Sequence, residues 1–151
     1  MSKQVLFLCT GNYYRSRFAE IFFNSRVEER GLGWRAQSRG LQLFPENIGT
    51  MSVHTVARLR SLGVAIDRYQ RLPAPAAVCD FEMADQVVAV KETEHRPLIA
   101  AQFPAWLDRI EFWEVHDLDV AGPHEAMPHL EREVLGLIER LAQSAKSHSP
   151  C

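Results

Sequence analysis

The chain has 151 residues, 46% hydrophobic and 24% charged, with a formal net charge of −2. That length fits one domain, and that balance leaves no overall charge to draw the protein to nucleic acid or a membrane. Three cysteines, Cys9, Cys79 and Cys151, are too few and too odd in number for a disulfide framework, which points to a reducing cytoplasm.

The opening MSKQVLFLC reads as too short in its apolar part for a signal peptide. No run approaches the ~20 apolar residues of a membrane span. Residues 5–8 form a short apolar run, read as a buried strand. Residues 9–14 are a loop. From 16 to about 30, Phe18, Ala19, Phe22 and Phe23 recur at helical spacing, and Gly31 and Gly33 stop the helix. Residues 34–38 are the second strand, followed by a loop over 39–49 containing Gly40, Pro45 and Gly49.

Ser52 can cap a helix reaching to about Leu62, with Val56, Leu59 and Leu62 on one face and Gly63 behind it. Residues 71–75 are loop, and 76–82 form at most a short helix. The run DQVVAV, 85–90, is the third strand, and 92–102 is helical despite Pro97. Residues 110–115 are the fourth strand and 116–123 a loop. A long helix over 124–145 carries the stripe Leu130, Val134, Leu137, Ile138 and Leu141. The reading is one domain, 1–145, with a fraying polar tail, 146–151. Strand–helix alternation at this spacing predicts an α/β fold with a parallel sheet. Ligands of such sheets bind at the carboxyl ends of strands, near the point where strand order reverses.

The loop at that place reads VLFLCTGNYYRSRFAE. Cys9 ends the strand, and Arg15 follows six positions on at a helix start. Six extended residues would reach ~20 Å, so the chain must curl into a ring to return a guanidinium above Cys9. Gly11 permits φ > 0, and Asn12 tolerates it better than most residues. Such a ring turns the backbone N–H groups of Thr10, Gly11, Asn12, Tyr13, Tyr14 and Arg15 into a nest for an oxyanion, backed by a helix N-terminus. The same features favour a thiolate at Cys9, to which the Ser16 hydroxyl can donate. Arg15 would clamp two phosphoryl oxygens in a bidentate fork.

C-T-G-N-Y-Y-R-S between strand and helix resembles the C-x5-R-S signature loop of low-molecular-weight protein tyrosine phosphatases. The resemblance is strong over 4–23, moderate at 37–40 (QSRG) and 53–94, and weak near the last loop. It implies a flavodoxin-like three-layer sandwich: four parallel strands with helices on both faces. It implies hydrolysis of phosphate monoesters, protein phosphotyrosine above all, through a phosphocysteine, with no cofactor and no metal. Partners would be a phosphorylated protein or a small phosphate ester, and a monomer is expected. His116, Asp117, His124 and His129 fit no standard metal-ligand spacing.

The family's acid is an Asp after the fourth strand. In WEVHDLDVAG, Asp117 takes that position best, with Asp119 as its rival. The Pro and the aromatic residue that usually follow the acid are missing. By the same resemblance Asn12 braces the ring through Ser38, and Glu92 stands where a carboxylate often lies near the Arg. Tyr14 replaces a second Cys that can form a protective disulfide with the nucleophile. Tyr13 and Tyr14 either stack on a substrate ring or bury against the first helix. Arg17 replaces a usual Pro, adding charge near the mouth or facing solvent.

Two other readings fit the loop. An arsenate reductase of the same fold would need a redox cysteine pair after the third strand, where this chain has KETEHRPL. A phosphate- or phosphoprotein-binding module with little turnover would keep the loop and lose the acid.

Overall fold

The structure, a computed structural model, describes residues 2–117 and 122–147. Strands β1 (Lys3–Cys9), β2 (Trp34–Gly40), β3 (Gln86–Ala89) and β4 (Ile110–Phe112) form one sheet in the order β2-β1-β3-β4. Every pairing is parallel, as the alternation predicts. Helices α1 (Arg15–Arg30), α2 (Val53–Ser61), α3 (Val78–Met83), α4 (Glu92–Gln102) and α5 (Pro123–Ser147) cover both faces.

The period-2 alternation of strands divides the core. Val5, Phe7 and Cys9 of β1 pack with Phe18 and Phe23 of α1, Leu59 of α2, and Leu130, Val134 and Leu137 of α5. Leu6 and Leu8 face the other way, onto Phe81 of α3 and Ile99 of α4. Both faces of β1 are therefore buried, which is why it reads as a continuous apolar run. Gly31 adopts φ 63 and ends α1, its N–H and that of Leu32 returning to the carbonyls of Glu28 and Val27. Ser52 caps α2 by accepting from the His54 N–H at 3.1 Å.

Several strand ends differ from the sequence reading, those of β2 and β4 among them. β2 runs on to Gly40, because Cys9 at the end of β1 pairs with it. β4 stops at Phe112, although Trp113 and Val115 still donate to the carbonyls of Ala89 and Val90. Those two bonds carry the chain past the end of β3 toward the carboxyl edge of the sheet. The order reverses at β1, whose neighbours are β2 and β3, so the loop after β1 opens at the switch point. Among the described residues, no helix is long and apolar enough to cross a membrane.

Candidate active site

Cys9 closes β1, and the chain turns through residues 10–14 before α1 begins at Arg15. The turn is held from outside. The carbonyls of Cys9 and Thr10 each accept a backbone N–H at 2.9 Å, from Leu41 and Gln42. The Tyr13 carbonyl accepts from Ser52 at 2.8 Å, and that of Tyr14 from the Thr55 hydroxyl at 3.0 Å. These bonds tie the turn to the loop after β2, to Ser52 and to α2.

Asn12 alone takes the left-handed backbone in this loop, at φ 51. Gly11, credited with the same freedom in the sequence, stays out of that region. Its small size serves packing instead: a Cβ there would lie 2.9 Å from Phe44 Cδ2. The Asn12 amide is fully engaged. Nδ2 donates to Ser16 Oγ and Ser38 Oγ, both at 2.9 Å. Oδ1 accepts from Arg71 Nη1 and from the Ala74 N–H, both at 3.0 Å. The expected Asn12–Ser38 brace is therefore present. Arg71, which no motif singled out, binds it from behind and also donates to the Ser38 carbonyl at 2.9 Å.

Cys9 Sγ lies 2.9 Å from Ser16 Oγ, as expected from their spacing. Arg15 is buried, and its guanidinium is held at one end. Nη1 donates to the Val115 carbonyl at 3.1 Å, and Nη2 to Glu94 Oε2 at 2.8 Å. Asp117 Oδ2 stands 3.4 Å from Nη2. Burial opposes the charge on Arg15, but Cys9, Glu94 and Asp117 outweigh it and raise its pKa.

The carboxylate on Arg15 is Glu94 and not Glu92. Glu92 faces outward and pairs with Arg96 at 2.6 Å, one helical turn on. Two residues further along α4 the side chain is rotated by about 200°, which turns Glu94 to the loop. Glu94 Oε2 also accepts from the Thr10 hydroxyl and lies 3.2 Å from His95 Nε2. Burial works against the Glu94 charge, but the His95, Arg15 and Thr10 donors hold its carboxyl well below the usual range. His95 is buried and its Nδ1 accepts the Lys91 N–H at 3.1 Å, so the ring proton sits on Nε2. Burial pushes the His95 pKa down, which keeps it neutral.

Arg17 does not reach the mouth of the site. It is fully buried, donates to the Tyr69 carbonyl, and has no partner for Nε or Nη1 among the described residues. Burial lowers its pKa to about 10. Nothing in the sequence marks it as interior, since a charged residue at a helix start usually faces water.

Cys9, Gly11, Tyr13, Arg15 and Asp117 line a cavity of about 350 Å³. Tyr14, Phe44, Glu46, Asn47 and Ser52 complete its wall. Tyr13 donates its hydroxyl to the Ile48 carbonyl at 2.6 Å and so ties the ring to the following loop. Tyr14 is buried against α1, the second of the two alternatives the sequence offered, and is also part of the wall. Asp119, the rival acid, lies outside the described residues. Cys79 is exposed on α3 and does not line the cavity.

The chain matches the model of the family described as low molecular weight phosphotyrosine protein phosphatase over residues 4–147. It is 32% identical over 106 residues to the protein-arginine-phosphatase of Bacillus subtilis, which covers 70% of this chain and 67% of that protein. A YwlE mutant from Bacillus subtilis superposes with a TM-score of 0.74 at 26% identity, covering 96% of this chain and 99% of the other. The low molecular weight protein tyrosine phosphatase from T. tengcongensis does so with a TM-score of 0.72 at 28% identity, covering 95% and 99%.

Proposed function

Because this chain belongs to the low molecular weight phosphotyrosine protein phosphatase family, we propose that it dephosphorylates proteins, phosphotyrosine foremost, through a phosphocysteine on Cys9. One observation carries the reading: Cys9 and Arg15 share a cavity with a carboxylate, Asp117, and three aromatic side chains, Tyr13, Tyr14 and Phe44. The Cys9 thiolate attacks phosphorus, and the S–P bond forms as the bond to the leaving oxygen breaks. Arg15 spreads the charge of the transferring group. Its Nη1 donates to Val115 and its Nη2 to Glu94, with Asp117 Oδ2 also near Nη2, and these contacts hold the guanidinium for the phosphoryl oxygens to meet. Asp117 gives its proton to the departing phenol oxygen and takes one from the water that hydrolyses the phosphocysteine.

The reading extends to a cytoplasmic monomer. The sparse, odd cysteine set supports the compartment. A second reading, phosphoarginine, has its own observation: Glu46 adds a second carboxylate to the cavity wall, a partner for a guanidinium. The relative named a protein-arginine-phosphatase favours it too.

Steady-state kinetics on matched peptides decides between the substrates. We expect kcat/KM for a phosphotyrosine peptide to exceed that for the phosphoarginine peptide about 10-fold or more, roughly 1.4 kcal/mol of transition-state binding. The reverse order would assign the enzyme to phosphoarginine. Asp117→Asn tests the acid. It should cost roughly 10²–10⁴-fold on phenyl phosphate and far less on p-nitrophenyl phosphate, whose leaving group needs little protonation. Equal losses on both esters would remove Asp117 from that role.

A further inference from the structure

A buried imidazole is costly unless both ring nitrogens find partners, and a neutral ring offers one acceptor and one donor. His95 is fully buried, and both of its nitrogens are engaged. Nδ1 accepts the Lys91 N–H at 3.1 Å, while the His95 N–H donates to the Lys91 carbonyl at 2.8 Å. Lys91 precedes α4 and offers no side-chain cap, so this reciprocal pair fixes the first turn of the helix. Glu94 stands in that turn.

The other end of the ring meets the carboxylate that holds Arg15. Nε2 lies 3.1 Å from Thr10 Oγ1 and 3.2 Å from Glu94 Oε2. The Thr10 hydroxyl donates to the same Glu94 oxygen. Oε2 therefore meets Thr10, His95 and, at 2.8 Å, Arg15 Nη2. A glutamate has several rotamers open to it, with a broad final torsion. His95 narrows that choice twice, by setting the backbone of residue 94 and by holding Oε2. Burial pushes the ring's pKa down, so Nδ1 stays free of a proton and open to the Lys91 N–H. His95 does not line the cavity that holds Cys9.

We propose that His95 is a positioning residue for phosphoryl transfer: it holds Glu94 Oε2 in place, and the Glu94 carboxylate in turn aims the Arg15 guanidinium. This deepens the phosphatase reading of the site and rests on it. The ring acts through Glu94, away from the reacting atoms. Its effect falls on rate more than on binding, because a misaimed clamp loses most where charge is redistributed, in the transition state.

Three replacements separate the two ends of the ring. His95→Asn keeps an acceptor near the Nδ1 position and is too short to reach Glu94. His95→Gln carries an N–H donor near the Nε2 position, and His95→Leu removes both ends. p-Nitrophenyl phosphate kinetics, inorganic phosphate calorimetry and thermal melting are measured on each. We expect His95→Leu to lower kcat/KM about 30-fold, mostly in kcat, and phosphate affinity about 5-fold. His95→Gln should recover kcat to within about 3-fold of wild type. His95→Asn should recover the melting temperature and leave kcat low. In a Glu94→Gln background, His95→Leu should lower kcat less than about 3-fold further, because both changes break one linkage. Activity that follows melting temperature across the three variants would overturn the proposal and leave His95 a residue that only fixes α4. So would an undiminished loss in the Glu94→Gln background. A wild type that binds phosphate without turning over the ester would sink the phosphatase reading. Phosphate affinity would then decide the positioning role: a loss in His95→Leu restored by Gln and not by Asn supports it, and equal affinities overturn it.

Discussion

Cys9→Ser is expected to abolish hydrolysis of p-nitrophenyl phosphate, while the wild type keeps its rate in excess chelator. The loss should be on the order of 10⁴-fold or more, because a lone nucleophile has no stand-in. Serine keeps the shape and the contact with Ser16 but offers no thiolate. The ring, the Arg15 clamp and the Asn12 brace are built from other residues, so inorganic phosphate should still bind the variant. Stopped-assay kinetics and phosphate calorimetry on one preparation separate the two effects. More than a few per cent of residual activity would place the nucleophile elsewhere, and lost phosphate binding would show that the substitution had damaged the cradle.

Gly40→Ala should also be costly, on a smaller scale, although Gly40 does not line the cavity. It ends β2 beside Cys9, with its N–H on the Ala74 carbonyl and its own carbonyl accepting from Ala76, both at 2.8 Å. A Cβ there would lie 2.8 Å from the Thr10 carbonyl oxygen, 3.1 Å from Asn12 Cβ and 2.6 Å from Leu43 Cδ2. The leucine can rotate away; the Thr10 backbone is part of the ring and cannot. Overpacking of this kind costs about 1–3 kcal/mol, and the melting temperature should fall by about 3–10 °C. Displacing the ring by about 1 Å should also cost on the order of 10²-fold in kcat/KM. Normal melting and normal kinetics together would mean that the end of β2 yields more freely than its two flanking hydrogen bonds imply.

The parts of this molecule that could be read in advance share one property: their cause is local. The α/β order follows from apolar periodicity and capping signals such as Ser52 and Gly31, all within a few residues of what they control. The ring follows from the spacing of Cys9, Asn12, Arg15 and Ser16 on consecutive turns of chain. What escaped depends on distance or on rotation about an axis. The sequence points to Glu92 as the carboxylate near Arg15, and only once the start of α4 is fixed to the residue does the helical twist choose Glu94 instead. Arg71 binds Asn12 across 59 residues, with nothing in either segment to announce it. Arg17 was legible as a charge but not as a buried one, since its acceptor, the Tyr69 carbonyl, lies 52 positions along the chain.

The clamp on Arg15 has a consequence for when the protein comes alive. The guanidinium is emitted early, within the first tenth of the chain, yet its acceptors are Glu94 and the Val115 carbonyl, 79 and 100 positions later. A growing polypeptide that has released the whole signature loop still holds an arginine with nothing to aim it. Competence as a catalyst is thus withheld until β4 and the segment behind it have left the ribosome and docked, and a nascent phosphatase cannot act on its surroundings before it is a finished one.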